Sequence, residues 1–147
     1  MGMSKRREPT PQLRPLPRCK AILACETIIV DESSHRPSLI GVVDAFEIAS
    51  FPGRSLPFRV FVQLAEGIGK YDVSVEFHDR LNDEIALKTS PVTVEFFDRL
   101  DRVYLNVEIA ALTLPEPNTY DIVLLADGEE VERQRVSFVS VEGSDHE

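Results

Sequence analysis

Residues 70–79, KYDVSVEFHD, contain the alternation that decides the fold of this chain. Every second residue of this stretch is apolar, and these residues are Tyr71, Val73, Val75 and Phe77. A period of two is typical of a strand with one buried and one solvent-facing side. Residues 103–109 repeat the pattern, and no segment shows an apolar stripe at helical spacing. The sequence therefore predicts an all-β protein.

Apolar runs separated by Pro, Gly, Asp and Asn extend this pattern over the whole body of the chain. The eight predicted strands span residues 20–30, 38–48, 57–66, 70–79, 84–96, 102–112, 119–127 and 130–141. The fifth is expected to bend or split near Pro91, and Asp127-Gly128 is expected to form a two-residue type I′ turn. About eight short strands predict two packed antiparallel sheets, as in an immunoglobulin-like β-sandwich.

Charge is distributed unevenly along the chain. Residues 1–20 carry six Lys/Arg against Glu8, a net charge of +5, while the remainder carries ten Lys/Arg against 24 Asp/Glu, a net charge of −14. We therefore predict a disordered, basic, proline-rich arm at 1–18, a sandwich domain at 19–141 and a flexible acidic C-terminus at 142–147. The acidic body is expected to repel both nucleic acid and anionic membranes, so that only the arm makes weak, non-specific contact with anionic surfaces.

Two cysteines and the hydropathy of the chain bear on its location. If Cys19 and Cys25 lie in one straight strand, their Cα atoms are about 20 Å apart, too far for a disulfide. No apolar run approaches the roughly 20 residues of a membrane span. The expected location is the cytoplasm.

Candidate catalytic and ligand-binding residues are few. The three histidines, His35, His78 and His146, are scattered, and no nucleophile elbow, phosphate-binding loop or C-x-x-C motif occurs. The run at 79–84 resembles a calcium loop but lacks the required order of ligands, so a hairpin turn is expected there. We expect no enzymatic activity, no catalytic residues and no cofactor.

An acidic rim is the one candidate site. If successive strands alternate in direction, the turns at 31–37, 66–70, 97–102 and 127–130 share one end of the sandwich. The predicted rim contains Asp31, Glu32, Glu66, Asp98, Asp101, Asp127, Glu129 and Glu130, together with Arg36, Lys70, Arg99 and Arg102. This pattern fits a site for a divalent cation, a small ligand or a basic partner, and it equally fits the solvated loops of an acidic protein.

Two further features leave alternatives open. Tyr120 follows a Pro-rich turn, so it is either a tyrosine corner or an ordinary core aromatic. Residues 28–30, 39–43 and 122–125 are apolar at consecutive positions, which indicates central strands or strands covered on their second face.

Three stretches of the chain resemble a small bacterial family of unknown function. They are AILACETIIVDE at 21–32, PSLIGVVDAFEIASFP at 37–52 and LPEPNTYDIVLLADGEEV at 114–131, and the match covers about residues 20–141. Where the family has Gly before its tyrosine, this chain has Asn118-Thr119, and Asn tolerates the same turn. The resemblance implies a β-sandwich fold, and it assigns no activity or catalytic residues to this chain.

These observations favour a non-enzymatic binding module that contacts another protein or its own copy through its loops or an uncovered apolar strand face. Binding of a small ligand or cation at the acidic rim is the alternative, and an undetected hydrolase is the third.

Overall fold

The protein is described by a computed structural model over residues 15–141. The predicted C-terminus at 142–147 and most of the predicted arm, residues 1–14, lie outside the described residues. Strands make up 68% of the structure, which confirms the all-β prediction. The strands are β1 (Arg18–Val30), β2 (Pro37–Val43), β3 (Ala45–Ile48), β4 (Gly53–Arg54), β5 (Phe58–Ala65), β6 (Gly69–Asp79), β7 (Glu84–Lys88), β8 (Val92–Phe96), β9 (Arg102–Ile109), β10 (Thr113–Leu114), β11 (Asn118–Ala126) and β12 (Glu129–Ser140).

Two large sheets and one small one contain these strands. The first sheet has the order β2-β1-β5-β9, and all its pairs are antiparallel. The second has the order β3-β12-β11-β6-β7. β7 pairs with the second half of β6, and β8 pairs with the first half of β6. The small sheet pairs β4 with β10.

The number and direction of the strands differ from the prediction chiefly at residues 38–48. The predicted strand 38–48 divides at Asp44, because β2 pairs with β1 in the first sheet while β3 runs parallel to β12 in the second. The Asp44 carbonyl accepts a hydrogen bond from the amide of Ser137 (2.9 Å) at this crossing. The predicted strand 84–96 divides near Pro91, as expected, into β7 and β8. The short strands β4 and β10 add two more, so within residues 15–141 there are twelve strands instead of about eight, and one pair is parallel.

The alternating residues of β6 place Tyr71, Val75 and Phe77 in the core, at 1% exposure or less. Phenylalanine rings fill the space between the sheets, with Phe58 contacting Phe77 edge to face (ring centroids 5.9 Å) and Phe46 stacked on Phe138 (5.3 Å). Such aromatic pairs bury large apolar areas and fix the packing of the sheets. The core therefore comes from the period-two pattern of the sequence.

Short turns join several consecutive strands. Asp127 and Gly128 both have positive φ (52° and 82°) and connect β11 to β12, which confirms the predicted two-residue turn. At the β5–β6 connection, a Cβ built on Gly67 would overlap the ring of Phe96, so only glycine fits against that ring. Leu16 packs on the core just before β1, so the folded body extends to that residue.

Candidate functional site

Strand register places the four turns of the predicted acidic rim at two different ends of the molecule. β1 runs antiparallel to β5, with Cys25 opposite Arg59 and Arg18 opposite Ala65. The 31–36 turn therefore lies at the end of the sheet where β5 begins, which we call the hairpin end. The turns at 66–68, 97–101 and 127–128 lie at the other end, which we call the loop end.

The predicted rim is consequently divided. Asp98, Asp101, Asp127 and Glu129 lie at the loop end, together with Glu66 and Glu130, whereas Asp31 and Glu32 lie at the hairpin end. The prediction placed them together because it counted residues 38–48 as one strand, and the chain reversal at Asp44 changes the direction of every strand that follows.

Two carboxylates of the loop end accept hydrogen bonds from backbone amides, Asp101 within its own turn and Asp127 from a neighbouring strand. Asp101 Oδ2 accepts hydrogen bonds from the amides of Phe97 (2.8 Å) and Asp98 (3.0 Å). Asp127 Oδ1 accepts one from the amide of Asp72 (2.9 Å). Among the residues that the structure describes, no three His, Cys, Asp or Glu side chains are grouped so as to hold a metal ion. These contacts are the hydrogen bonds of turn-forming residues.

The run at 79–84 forms a hairpin turn, as predicted, and Asp79 organises it. This carboxylate is 8% exposed and accepts hydrogen bonds from the amides of Leu81 and Asn82 and from the side chain of Asn118 (2.6 Å). Burial alone would raise the pKa of Asp79, but the bonds from Asn82, Asn118 and Leu81 outweigh it and hold the pKa below its usual range.

A charged network that the sequence analysis missed lies on the outer face of the second sheet. Asp121, 5% exposed, accepts hydrogen bonds from Arg80 Nη1 (3.2 Å) and Arg133 Nη1 (2.9 Å). Arg133 also forms a bidentate pair with Glu130, and its hydrogen bonds lower the pKa of that carboxyl. The sequence could have indicated this network through Asp121, which lies inside the predicted strand 119–127. An aspartate there is buried, and a buried carboxylate requires partners. The two arginines compensate the charge of the buried carboxylate.

Histidine and cysteine side chains occupy structural positions. His78 lies within 2.8 Å of Glu76 on the wet face of β6, His35 adopts positive φ (60°) in the first turn, and His146 lies outside the described residues. Burial, and then the negative charge of Glu132, raise the pKa of the Cys19 thiol to about 11. Burial also raises the pKa of Cys25. Both cysteines are free and lie on β1, as expected, and neither is poised as a nucleophile.

Tyr120 is a core aromatic. It is 1% exposed and packs edge to face on Phe138 (5.6 Å), and its hydroxyl bonds to the side chain of Asn118. In a tyrosine corner the hydroxyl is bonded to nearby backbone, and Tyr71 makes bonds of this kind. Its hydroxyl accepts a hydrogen bond from the amide of Ile68 (2.9 Å) and donates one to the carbonyl of Pro15 (2.8 Å).

The hairpin end carries a projecting β-ribbon. β1 and β2 remain paired for four residue pairs beyond Cys25–Arg59, the last pair of β1 with β5. We call residues 26–43 the hairpin arm. The apolar runs 28–30 and 39–43 lie in it, and their solvent-exposed members are Ile29, Val30, Ile40 and Val42. The sequence predicted that strands with such runs are central or covered on their second face, but in the hairpin arm side chains of both runs are exposed. In the run 122–125, by contrast, Val123 is buried.

Among the clefts formed by residues 15–141, two lie beside the hairpin arm and at the β7–β8 break. A cleft of about 780 Å³ lies between β1 and β2 on one side and β3 and β12 on the other, and Leu23, Val42, Asp44 and Arg135 contribute to its walls. A smaller one of about 270 Å³ lies where β7 and β8 separate, between Val75, Thr89 and Leu105. The larger cleft adjoins the base of the hairpin arm, since Val42 belongs to both.

No helix in the described part of the chain is long and apolar enough to cross a membrane. No curated protein matches the chain. Among solved structures, the chain is similar to the Pseudomonas fluorescens alkylpurine DNA glycosylase AlkC bound to DNA containing an abasic site analog, with 6% identity and a TM-score of 0.45. That match covers 81% of this chain and spans only 30% of the AlkC chain, and it supports no inference about activity.

A family model matches residues 20–138, nearly the whole described body, and confirms the resemblance found in the sequence. Its matched region includes both strands of the hairpin arm and the closing β11–β12 hairpin. The chain therefore belongs to the family of unknown function DUF6941.

Proposed function

We propose that the protein is a non-enzymatic interaction module that binds a second copy of itself through the hairpin arm. The observation that carries this proposal is the extension of β1 and β2 by four residue pairs beyond the sheet that supports them. Ile29 and Val30 on this extension are 53% and 55% exposed. An isolated two-stranded ribbon is marginally stable in water, so a covering surface stabilises it.

The edge strand of the hairpin arm favours association. β2 reads PSLIGVV and carries no charged side chain. The other edges are charged, with Arg102 and Glu108 on β9 and Arg133 and Arg135 on the open part of β12. Edge strands usually carry charges that prevent pairing with another chain. β2 lacks this protection, which supports its role as an interface.

The apolar face of the hairpin arm fits a second copy as the occupant. Two copies of a chain with net charge −9 repel each other over most of their surfaces. The hairpin arm contains Glu26, Asp31 and Glu32, but Ile29, Ile40 and Val42 lie on the face of the ribbon opposite to Glu26, and this apolar face is where two copies can meet. A two-fold axis through this surface gives a closed dimer, since the same patch then serves both subunits. The adjacent 780 Å³ cleft gives room for side chains of the second copy.

The test is the mass of the protein in solution. A dimer of the 16.5 kDa chain has a mass of about 33 kDa, and light scattering at micromolar concentrations should give that value. Ile29→Lys combined with Ile40→Lys places charges in the interface and should give the monomer mass. Leu56→Lys is the matched control, because Leu56 is exposed (82%) but lies outside the hairpin arm.

A monomer mass for the unmodified protein across micromolar concentrations contradicts self-association. A dimer that survives the Ile29/Ile40 substitutions places the interface elsewhere and contradicts the role of the hairpin arm. Circular dichroism of each variant identifies those that have lost the β-fold, and a folded Ile40→Lys single variant replaces any that has.

We further infer that the two large sheets pack as an immunoglobulin-like sandwich in a bacterial cytoplasmic protein. The mainly antiparallel pairing of both sheets supports the fold type. The two free thiols support a reducing location, and the family resemblance supports a bacterial source.

A further inference from the structure

The outer face of the first sheet carries apolar side chains where polar ones are expected. On β5, Val60, Val62 and Leu64 belong to the core between the sheets, so Phe61 points to the outer face. Phe61 is only 7% exposed, and its ring stacks on that of Tyr104 on β9 (ring centroids 5.8 Å, interplanar angle 30°). The outer face of an antiparallel sheet in water is usually polar. An aromatic pair on this face therefore indicates a covering surface.

Strand register connects this aromatic pair to the hairpin arm. Cys25 lies opposite Val42 on β2 and opposite Arg59 on β5, two residues before Phe61. Cys25 is buried without belonging to the core cluster between the sheets. Residues two apart on a strand share a face, so the apolar side chains form one continuous diagonal band. We call this the outer apolar band, and it consists of Ile29, Ile40, Val42, Cys25, Phe61 and Tyr104.

Carboxylates are distributed unequally over the outer faces of the two large sheets. Among the described strand residues on the outer face of the first sheet, Glu108 is the single carboxylate, and it is paired with Arg59 (3.9 Å) beside the outer apolar band. The outer face of the second sheet carries Asp72, Glu76, Asp121 and Glu130. Two copies of this acidic chain therefore repel each other least when their first sheets face one another.

The hairpin arm alone is too small for a stable interface. Its projecting part has two strands and four residue pairs, which cover on the order of 150 Å². A stable interface buries about 800 Å² on each partner. The outer face of all four strands of the first sheet covers on the order of 600 Å² before the relief of the side chains is counted. Only the whole face thus approaches the area that a stable dimer needs.

We propose, building on the self-association proposed above, that a second copy of this chain covers the whole outer apolar band by packing its own first sheet face to face against it. A two-fold axis through the band brings the same side chains together from both subunits. Face-to-face packing of two sheets is a common arrangement that interdigitates their apolar side chains. Tyr104 is then buried between the subunits, although it lies outside the hairpin arm.

Nitration of tyrosine by tetranitromethane, located by peptide mass spectrometry, tests whether Tyr104 is covered in the unmodified protein. Tyr104 is 47% exposed in the single chain, whereas Tyr71 and Tyr120 are 1% exposed and serve as internal controls. At about 100 times the dimer dissociation constant, roughly a tenth of the chains are monomeric by mass action. Tyr104 should therefore react about tenfold more slowly there than in the same protein diluted below the dissociation constant.

A substitution in the outer apolar band gives the second arm of the test. Tyr104→Lys should raise the dimer dissociation constant by about tenfold or more, since aromatic residues buried in an interface contribute strongly to affinity. Ile85→Lys is the matched control, because Ile85 is also 47% exposed but lies on β7 of the second sheet, and it should leave the constant unchanged. Circular dichroism checks each fold, and Tyr104→Ser replaces Tyr104→Lys if that variant has lost its β-structure.

A dimer in which Tyr104 reacts as fast as in the monomer overturns the role of the outer apolar band and leaves the hairpin arm as the interface. A dissociation constant that Tyr104→Lys leaves unchanged, or that Ile85→Lys raises equally, overturns it as well. A monomer mass for the unmodified protein instead overturns self-association itself. The mass and the reactivity of Tyr104 therefore distinguish the two failures.

Discussion

Asp79 is the residue whose contacts make the clearest prediction about stability. Its carboxylate is almost buried and accepts hydrogen bonds from two backbone amides and two side-chain amides. Asp79→Ala leaves these donors without their acceptor, and we expect it to lower the free energy of unfolding by about 2–3 kcal/mol at pH 7. Urea denaturation of the two proteins measures the difference.

The same contacts fix the pH dependence of that difference. The folded-state pKa of Asp79 lies below its unfolded value of about 3.9, so the ionised carboxylate stabilises the fold fully above pH 4. This contribution is lost as the pH falls through the lower, folded-state pKa. The gap between the wild type and Asp79→Ala should therefore narrow below pH 4. A gap that stays constant down to pH 2 contradicts the assignment.

Asp31 is the matched control for Asp79. It also organises a turn, accepting hydrogen bonds from Ser33 Oγ (2.9 Å) and the amide of Ser34 (2.7 Å), and these bonds, chiefly from Ser34, lower its pKa. Because Asp31 is exposed, water replaces these bonds when it is removed. Asp31→Ala should destabilise the protein much less than Asp79→Ala.

At the scale of elements, the turn between β5 and β6 depends on a close contact with β8 of the second sheet. Gly67 lies against the ring of Phe96, which is buried against Tyr71 and cannot move aside. Gly67→Ala should destabilise the protein by about 1–3 kcal/mol through overpacking. Chemical denaturation measures this, and Phe96→Leu provides the second arm of a double-mutant cycle.

In that cycle the Gly67→Ala substitution should cost less in the Phe96→Leu background, because the smaller side chain leaves room for the added methyl group. Equal costs in the two backgrounds would show that the penalty comes from the turn backbone and not from the ring.

At the scale of the whole molecule, the boundary of the folded body is testable by proteolysis. The four prolines and basic residues of the predicted arm give it no apolar pattern. Leu16 packs on the core and the Pro15 carbonyl is bonded to Tyr71. Brief treatment with a protease of low specificity, followed by mass spectrometry, should yield a resistant fragment that begins between residues 15 and 19 and retains a β-rich circular dichroism spectrum. Retention of the intact N-terminus under these conditions contradicts the predicted arm.

The sequence by itself determined the local features of this protein. The alternation in 70–79 and 103–109 specified strands with a buried face, because side chains on a strand point to opposite sides in turn. Asp127-Gly128 specified its turn, because both residues accept positive φ. The family resemblance over about residues 20–141 was also readable from the chain, and the family model matches residues 20–138.

Tertiary structure alone decided which of these features lie together. The apolar run at 38–48 has no breaker that marks Asp44 as a crossing between sheets, and its pairing with Ser137 joins residues far apart in the sequence. That crossing reversed the chain and separated Asp31 and Glu32 from Asp98, Asp101, Asp127 and Glu129. Likewise the exposure of Ile29 and Phe97 and the pairing of Asp121 with Arg80 and Arg133 depend on strand order. A local pattern fixes which face of a strand is apolar, but only the neighbouring strands determine whether that face is covered.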